Sequence, residues 1–170
     1  MNARPLANEY AAYYEKYVSR VPEGNILETL TEQITATQKN FGEISEEKSK
    51  FRYADGKWSI RELLGHIIDT ERVFAYRALR FSRNDKTALP GFEQDDFVPN
   101  SNHDNVLLKD LVEEFILVRK SNIKLFASFT DEMWLHIGTA SENAMSVRAV
   151  AYNLAGHVIH HTNVLKEKYL

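Results

Sequence analysis

Apolar residues recur at three- and four-residue spacing over four long stretches of the chain, the period of amphipathic helices. The first stretch runs from about Gly24 to Phe41, with Ile26, Leu27, Leu30, Ile34 and Phe41 on one side. The second has a marked start. Ser59-Ile60-Arg61-Glu62 is a capping box, in which hydroxyl and carboxylate each satisfy an unpaired backbone N–H. It continues to about Ser82 through Leu63, Leu64, Ile67, Val73, Phe74, Ala78 and Phe81. The third begins between Ser101 and Asp104 and carries Leu107, Leu108, Leu111, Phe115, Val118, Leu125 and Phe129. The fourth starts near Ser146 and reaches about Tyr169 through Val147, Val150, Leu154, Val158 and Leu165. A shorter helix, about Ala7 to Val18, precedes the first and ends before Pro22. Four amphipathic helices of roughly 18 to 28 residues predict an all-α four-helix bundle.

Composition agrees with this pattern. The 170 residues include only 7 Gly and 4 Pro, too few for the frequent turns of a many-stranded β fold. At 44% hydrophobic and 26% charged residues, the chain reads as one globular domain over 1–170, with no internal repeat and no low-complexity segment. A net charge of −3 without a basic block argues against nucleic-acid binding. No apolar run is long enough to span a membrane, and Met1 to Pro5 lacks an apolar signal region. The cytoplasm is therefore the expected address. The absence of cysteine removes disulfides, thiolate zinc sites, iron–sulfur clusters and a cysteine nucleophile.

The chemistry lies in the 6 histidines. His157 and His161 are four residues apart on the fourth helix, a spacing that lets two imidazoles share one metal ion. At 100° per residue, with Val147 at zero, His161 falls at about 40°, inside the apolar stripe, His157 at about 80°, at its edge, and His160 at about 140°, largely outside it. The pair points inward and His160 does not. On the second helix, His66 belongs to a polar strip with Glu62, Asp69, Thr70 and Arg77 beside the apolar face, as expected of a site inside a bundle. His103 and His136 sit in connecting segments with no partner at ligand spacing.

Helix direction tests whether the three histidines can meet. His66 is about 10 Å from the start of its helix, and the His157–His161 midpoint about 15 Å from the end of the fourth. Antiparallel second and fourth helices leave an offset of about 5 Å, parallel ones about 10 Å. The spacing favours an up-down-down-up bundle with a long crossover between helices 2 and 3. Residues 83–100 can supply it, since they extend to roughly 60 Å against a bundle about 35 Å long. The other long connection covers residues 130–145.

The stretch from Lys57-Trp58-Ser59-Ile60-Arg61-Glu62 through Leu63-Leu64-Gly65-His66-Ile67-Ile68-Asp69-Thr70-Glu71-Arg72 resembles the second-helix signature of the DinB superfamily, in its YfiT-like branch. Ala155-Gly156-His157-Val158-Ile159-His160-His161 resembles that family's terminal HxxxH motif, and Leu89-Pro90-Gly91-Phe92 its loop. The similarity extends from about residue 10 to Leu170. It implies a crossover four-helix bundle, a homodimer, and one divalent ion per chain on His66, His157 and His161. Relatives include bacillithiol-using thiol S-transferases, mycothiol-dependent isomerases and metal-dependent hydrolases.

Three neutral imidazoles leave zinc or nickel with open positions, the arrangement of a catalytic site. The ion would activate a thiol or water, for S-transfer to electrophiles or for hydrolysis of a small-molecule substrate. Lacking cysteine, the protein would take its sulfur from a low-molecular-weight thiol cosubstrate. Asp69 is the candidate to orient an imidazole or accept a proton, and Arg77 the candidate to bind an anionic group of the substrate, although the two could equally form a helical ion pair. The alternative is a stress-response or binding bundle whose metal is not catalytic. A ferritin-like di-iron site is excluded because the chain has no Glu-x-x-His motif.

Overall fold

Asn25 starts the first long helix, α1 (Ile26–Gly42), by accepting a hydrogen bond from the Leu27 N–H. The structure, a computed structural model, describes residues 3–170. Met1 and Asn2, which open the stretch read for a signal region, lie outside it. Helix α2 (Ile60–Ser82) begins with the expected capping box: Ser59 Oγ accepts from the Glu62 N–H at 3.1 Å, and the Glu62 carboxylate accepts from the Ser59 N–H at 2.8 Å. Helix α4 (Val147–Val164) is capped by Ser146 and runs into a π-helical turn, Leu165–Tyr169.

Helix α3 (Leu108–Ala127) starts later than the sequence suggests, after a single 3-10 turn at His103–Asn105. Asp104, an expected start residue, is engaged elsewhere and accepts from Ser59 Oγ at 2.6 Å and Arg52 at 2.9 Å. The cap comes instead from Glu46, whose carboxylate accepts from the N–H groups of Leu108 and Lys109 at 3.0 and 3.2 Å. The expected helix from Ala7 to Val18 is broken into two 3-10 turns, Ala7–Glu9 and Ala12–Tyr14, and a short helix, Glu15–Val18. Tyr10 and Ala11 adopt extended backbone there. This places the Glu9 carboxylate where it accepts from Ser146 Oγ and Arg148 Nε, both at 2.6 Å.

Residues 130–145 hold more structure than a connection. A short helix, Asp131–Leu135, leads into an antiparallel hairpin of β1 (Ile137–Ala140) and β2 (Asn143–Ser146). Its turn residues, Ser141 and Glu142, have φ of 51° and 64°, without the glycine or asparagine that announces such a turn. The crossover from α2 to α3 carries another short helix, Gln94–Phe97. The crossover is tied to the hairpin where the Leu89 N–H donates to the Thr139 carbonyl, and the Ser141 N–H to the Leu89 carbonyl. The described residues thus form a mostly helical structure of seven α-helical segments and one two-stranded sheet. No helix among them is long and apolar enough to cross a membrane.

Helices α1 and α2 each pack against both α3 and α4. Bonded pairs between α2 and α3 advance together along the two helices, from Ser59 with Asp104 to Glu71 with Arg119. Pairs between α1 and α3 advance in opposite senses (Glu46 with Leu108, Gln33 with Arg119), as do those between α2 and α4 (Trp58 with Tyr169, His66 with His157). Two apolar clusters fill the interior, one around Leu30, Phe74, Phe81 and Phe126, the other around Phe41, Ile67, Phe115 and Val158. Between them each long helix contributes a buried polar residue: Gln33, Glu71, Arg119 and His157. Arg119 donates to Glu71 through two nitrogens at 3.1 and 2.6 Å and to Gln33 at 2.7 Å, and Asn122 donates to Glu71 at 2.8 Å. Gln33 in turn donates to the Ala155 carbonyl at 2.8 Å, which is why it, and not the expected Ile34, faces the core.

Candidate metal centre

His66 on α2 and His157 and His161 on α4 meet in the interior, all three buried. His157 Nε2 lies 3.0 Å from both His66 Nε2 and His161 Nε2. One ligand atom from each of the three falls within 4.8 Å of the others. A single ring nitrogen carries either a proton or a lone pair, so His157 Nε2 can complete a hydrogen bond with only one of its two neighbours. An ion at about 2.0–2.1 Å from each nitrogen would use all three lone pairs and hold adjacent nitrogens about 3.0–3.4 Å apart. The donor set therefore fits a divalent cation.

Electrostatics agree. Burial, aided by nearby His103 and His160, pushes the His66 imidazole down to about 4. Burial pushes His157 and His161 well below the ordinary histidine range, with the neighbouring histidines adding to it. All three are therefore neutral at pH 7, the protonation state that binds metal.

Each ligand-bearing helix has a glycine immediately before a triad histidine, and each glycine admits a close neighbour. A Cβ at Gly156 would lie 2.0 Å from the Tyr17 carbonyl oxygen, and one at Gly65 would lie 2.2 Å from the His103 ring. Tyr17 consequently packs edge-on against His157 and His160, with centroids at 5.4 and 5.5 Å. The Trp58 ring lies 4.8 Å from His66. Tyr17 and His103 were not identified from the sequence as neighbours of the site. Their signal was the two glycines, each costing about 1 kcal/mol inside a helix and so implying a close approach.

The other candidates lie beside the triad and do not join it. His160 is half-buried, its ring 4.8 Å from that of His161, facing outward as its angle on the helix requires. Asp69 lies 4.0 Å from His103 Nε2, and burial raises its carboxyl pKa against the pull of His103 and Arg72. Arg77 is buried and donates to the Pro90 carbonyl at 3.2 Å and Ser141 Oγ at 3.1 Å, fastening crossover and hairpin to α2. His136 meets the Ser82 carbonyl through Nδ1 at 3.1 Å.

Two clefts open beside the triad. One, of about 290 Å³, is bordered by His161, His160 and Trp58; the other, of about 380 Å³, by His66, His157 and Tyr17. Gln94 and Asp95 of the short crossover helix border both. Asp95, an exposed residue, therefore stands at the mouth of both clefts.

The model of the DinB superfamily matches residues 29–165, which contain all three triad histidines and both ligand-bearing helices. This chain belongs to the DinB superfamily. No curated protein matches it significantly. Among solved structures, this DinB-superfamily chain is similar to YfiT from Bacillus subtilis, with 12% identity, a TM-score of 0.73, and coverage of 84% of this chain and 82% of that one. That protein is described as a probable metal-dependent hydrolase with an unusual four-helix bundle topology. At such identity the likeness establishes the shared fold.

Proposed function

We propose that this protein is a divalent-metal-dependent enzyme in which His66, His157 and His161 hold one zinc or nickel ion, facing small-molecule substrates in the adjoining clefts. The observation that carries this reading is the convergence of three buried Nε2 atoms with a cleft on either side. Three protein ligands with space beside them are the pattern of a catalytic site, whereas structural sites are closed by four. When bound, the ion supplies Lewis acidity that lowers the pKa of a water or thiol. The chain's own residues do the rest. Burial keeps the imidazoles deprotonated, Tyr17 and Trp58 fix the faces of His157 and His66, and the Gln94–Phe97 helix screens the entrance. With no cysteine in the chain, a sulfur nucleophile would have to come from a low-molecular-weight thiol. The reaction on this reading is S-transfer to an electrophile or hydrolysis, and the likeness to YfiT supports the latter.

The senses of the hydrogen-bonded pairs support an up-down-down-up order of the four long helices, with residues 83–107 as the crossover. The family resemblance supports a homodimer. In this reading Arg77 secures the crossover, and Asp69 acts on the site only through His103.

Elemental analysis of protein purified without chelator should find about one zinc or nickel ion per chain. His161→Ala should lose it and His160→Ala should keep it. Stoichiometric metal in His161→Ala would remove His161 from the ligand set. Turnover of p-nitrophenyl acetate without thiol identifies a hydrolase, and turnover of 1-chloro-2,4-dinitrobenzene only with added thiol identifies a transferase.

A further inference from the structure

The 380 Å³ cleft continues beyond His66 and His157 to a second facing pair, Thr70 on α2 and Asn153 on α4. Thr70 follows His66 by four residues and Asn153 precedes His157 by four. Because the bonded pairs of these helices advance in opposite senses, the two side-chain pairs stand at successive levels about 6 Å apart. Thr70 and Asn153 are only 2% and 1% exposed, yet Thr70 Oγ1 and Asn153 Oδ1 have no hydrogen-bond partner. Five buried side-chain polar atoms among the described residues are orphaned in this way. All but Thr37 Oγ1 lie at the triad or against it: these two, His161 Nδ1 and His103 Nδ1. A ligand that supplies the missing bonds would remove the cost of leaving them unmade.

The chemistry of the pair selects the ligand group. Asn153 Oδ1 can only accept, while the Thr70 hydroxyl can donate. A ligand hydroxyl satisfies both at once, giving its proton to Asn153 and accepting one from Thr70. A carboxylate would face Asn153 Oδ1 and the mouth carboxylates of Glu93 and Asp95, and an ammonium would stand one helical turn from a divalent ion. Phe74 and Tyr14 offer the intervening carbon skeleton an apolar wall.

We propose that Thr70 and Asn153 form a hydroxyl-binding subsite, holding the alcohol group of a small uncharged ligand whose other end reaches the three histidines. This rests on the metal reading above and adds the substrate class to it. The test uses the full chain loaded with cobalt(II), whose visible spectrum reports thiol binding without any turnover. It is titrated with 2-mercaptoethanol and with 1-propanethiol, which differ by a hydroxyl in place of a methyl group. Thr70→Val and Asn153→Leu should each weaken 2-mercaptoethanol binding by about three- to tenfold and leave 1-propanethiol as tight or tighter, while Thr70→Ser restores the wild-type ratio. If Asn153→Leu does not fold, Thr70→Val alone decides. Unchanged 2-mercaptoethanol affinity in a variant with normal cobalt uptake overturns the subsite and leaves the triad standing. Failure of the wild-type protein to take up cobalt overturns the metal reading and the subsite with it, whereas a cobalt-loaded protein that responds to neither thiol overturns the subsite alone.

Discussion

Helix α2 presents a buried polar cluster to each of two neighbours, and the clusters differ in how completely they close. Toward α3, Glu71 meets Arg119 and Asn122, with Gln33 closing the network from α1, and none of these four has an orphaned buried polar atom. Toward α4, His66 and Thr70 meet His157, His161 and Asn153, and three of those five residues keep an orphaned atom. Both clusters are buried in the same bundle, and the closed one, which holds the Glu71–Arg119 ion pair, carries the larger desolvation cost. A closed network accounts for itself as structure, whereas an open one marks the place where something from outside the chain completes the interior.

Removing one member of the closed cluster should give the largest effect. Arg119→Leu leaves the Glu71 carboxylate buried and unpaired, so urea unfolding should show a loss of about 3–5 kcal/mol with metal content unchanged. A loss below about 1 kcal/mol would mean that the ion pair does not hold the middle of the bundle.

Acid should act on the open cluster with intermediate force. In chelated protein the folded-state pKa of His66 is about 4, below the unfolded value of about 6.5, so the unfolded chain takes up protons first. The stability of the neutral native form is then complete above about pH 6.5 and is lost as pH falls toward 4. His66 alone accounts for about 2 kcal/mol by pH 5, and His157 and His161 add in the same direction. Stability that stays flat between pH 7 and 5 would show that the imidazoles are solvated in the native state.

The smallest effect should come from Thr70→Val. Replacing an unpaired buried hydroxyl by a methyl group of the same shape should leave thermal stability within about 1 kcal/mol of wild type or raise it. A loss of 2 kcal/mol or more would show that the Thr70 hydroxyl already has a partner in the folded protein, and would erase the contrast with Arg119.

The triad was legible in sequence because helical spacing alone sets the directions of His157, His161 and His160, and a capping box fixes where the helix carrying His66 begins. Tertiary competition hid the rest. Asp104 has the chemistry of a helix cap but is occupied by Ser59 and Arg52. Arg77 has the chemistry of an anion site, but its Nη2 donates to Pro90 and Ser141. The hairpin turns on Ser141-Glu142, which carry no turn signature, and the approach of Tyr17 and His103 to the site is written only in two glycines.

Glu46 supplies hydrogen bonds to the first turn of α3 from 62 and 63 residues upstream. The starting point of that helix is therefore stored outside it, in the turn that follows α1, and exists only once a long loop has closed. A peptide cut to residues 104–129 keeps the whole apolar stripe and loses the carboxylate that stops its leading turn from fraying. The same dependence would follow the helix into any chimera: transplanted without the segment around Glu46, α3 would carry its packing face along and leave its boundary behind.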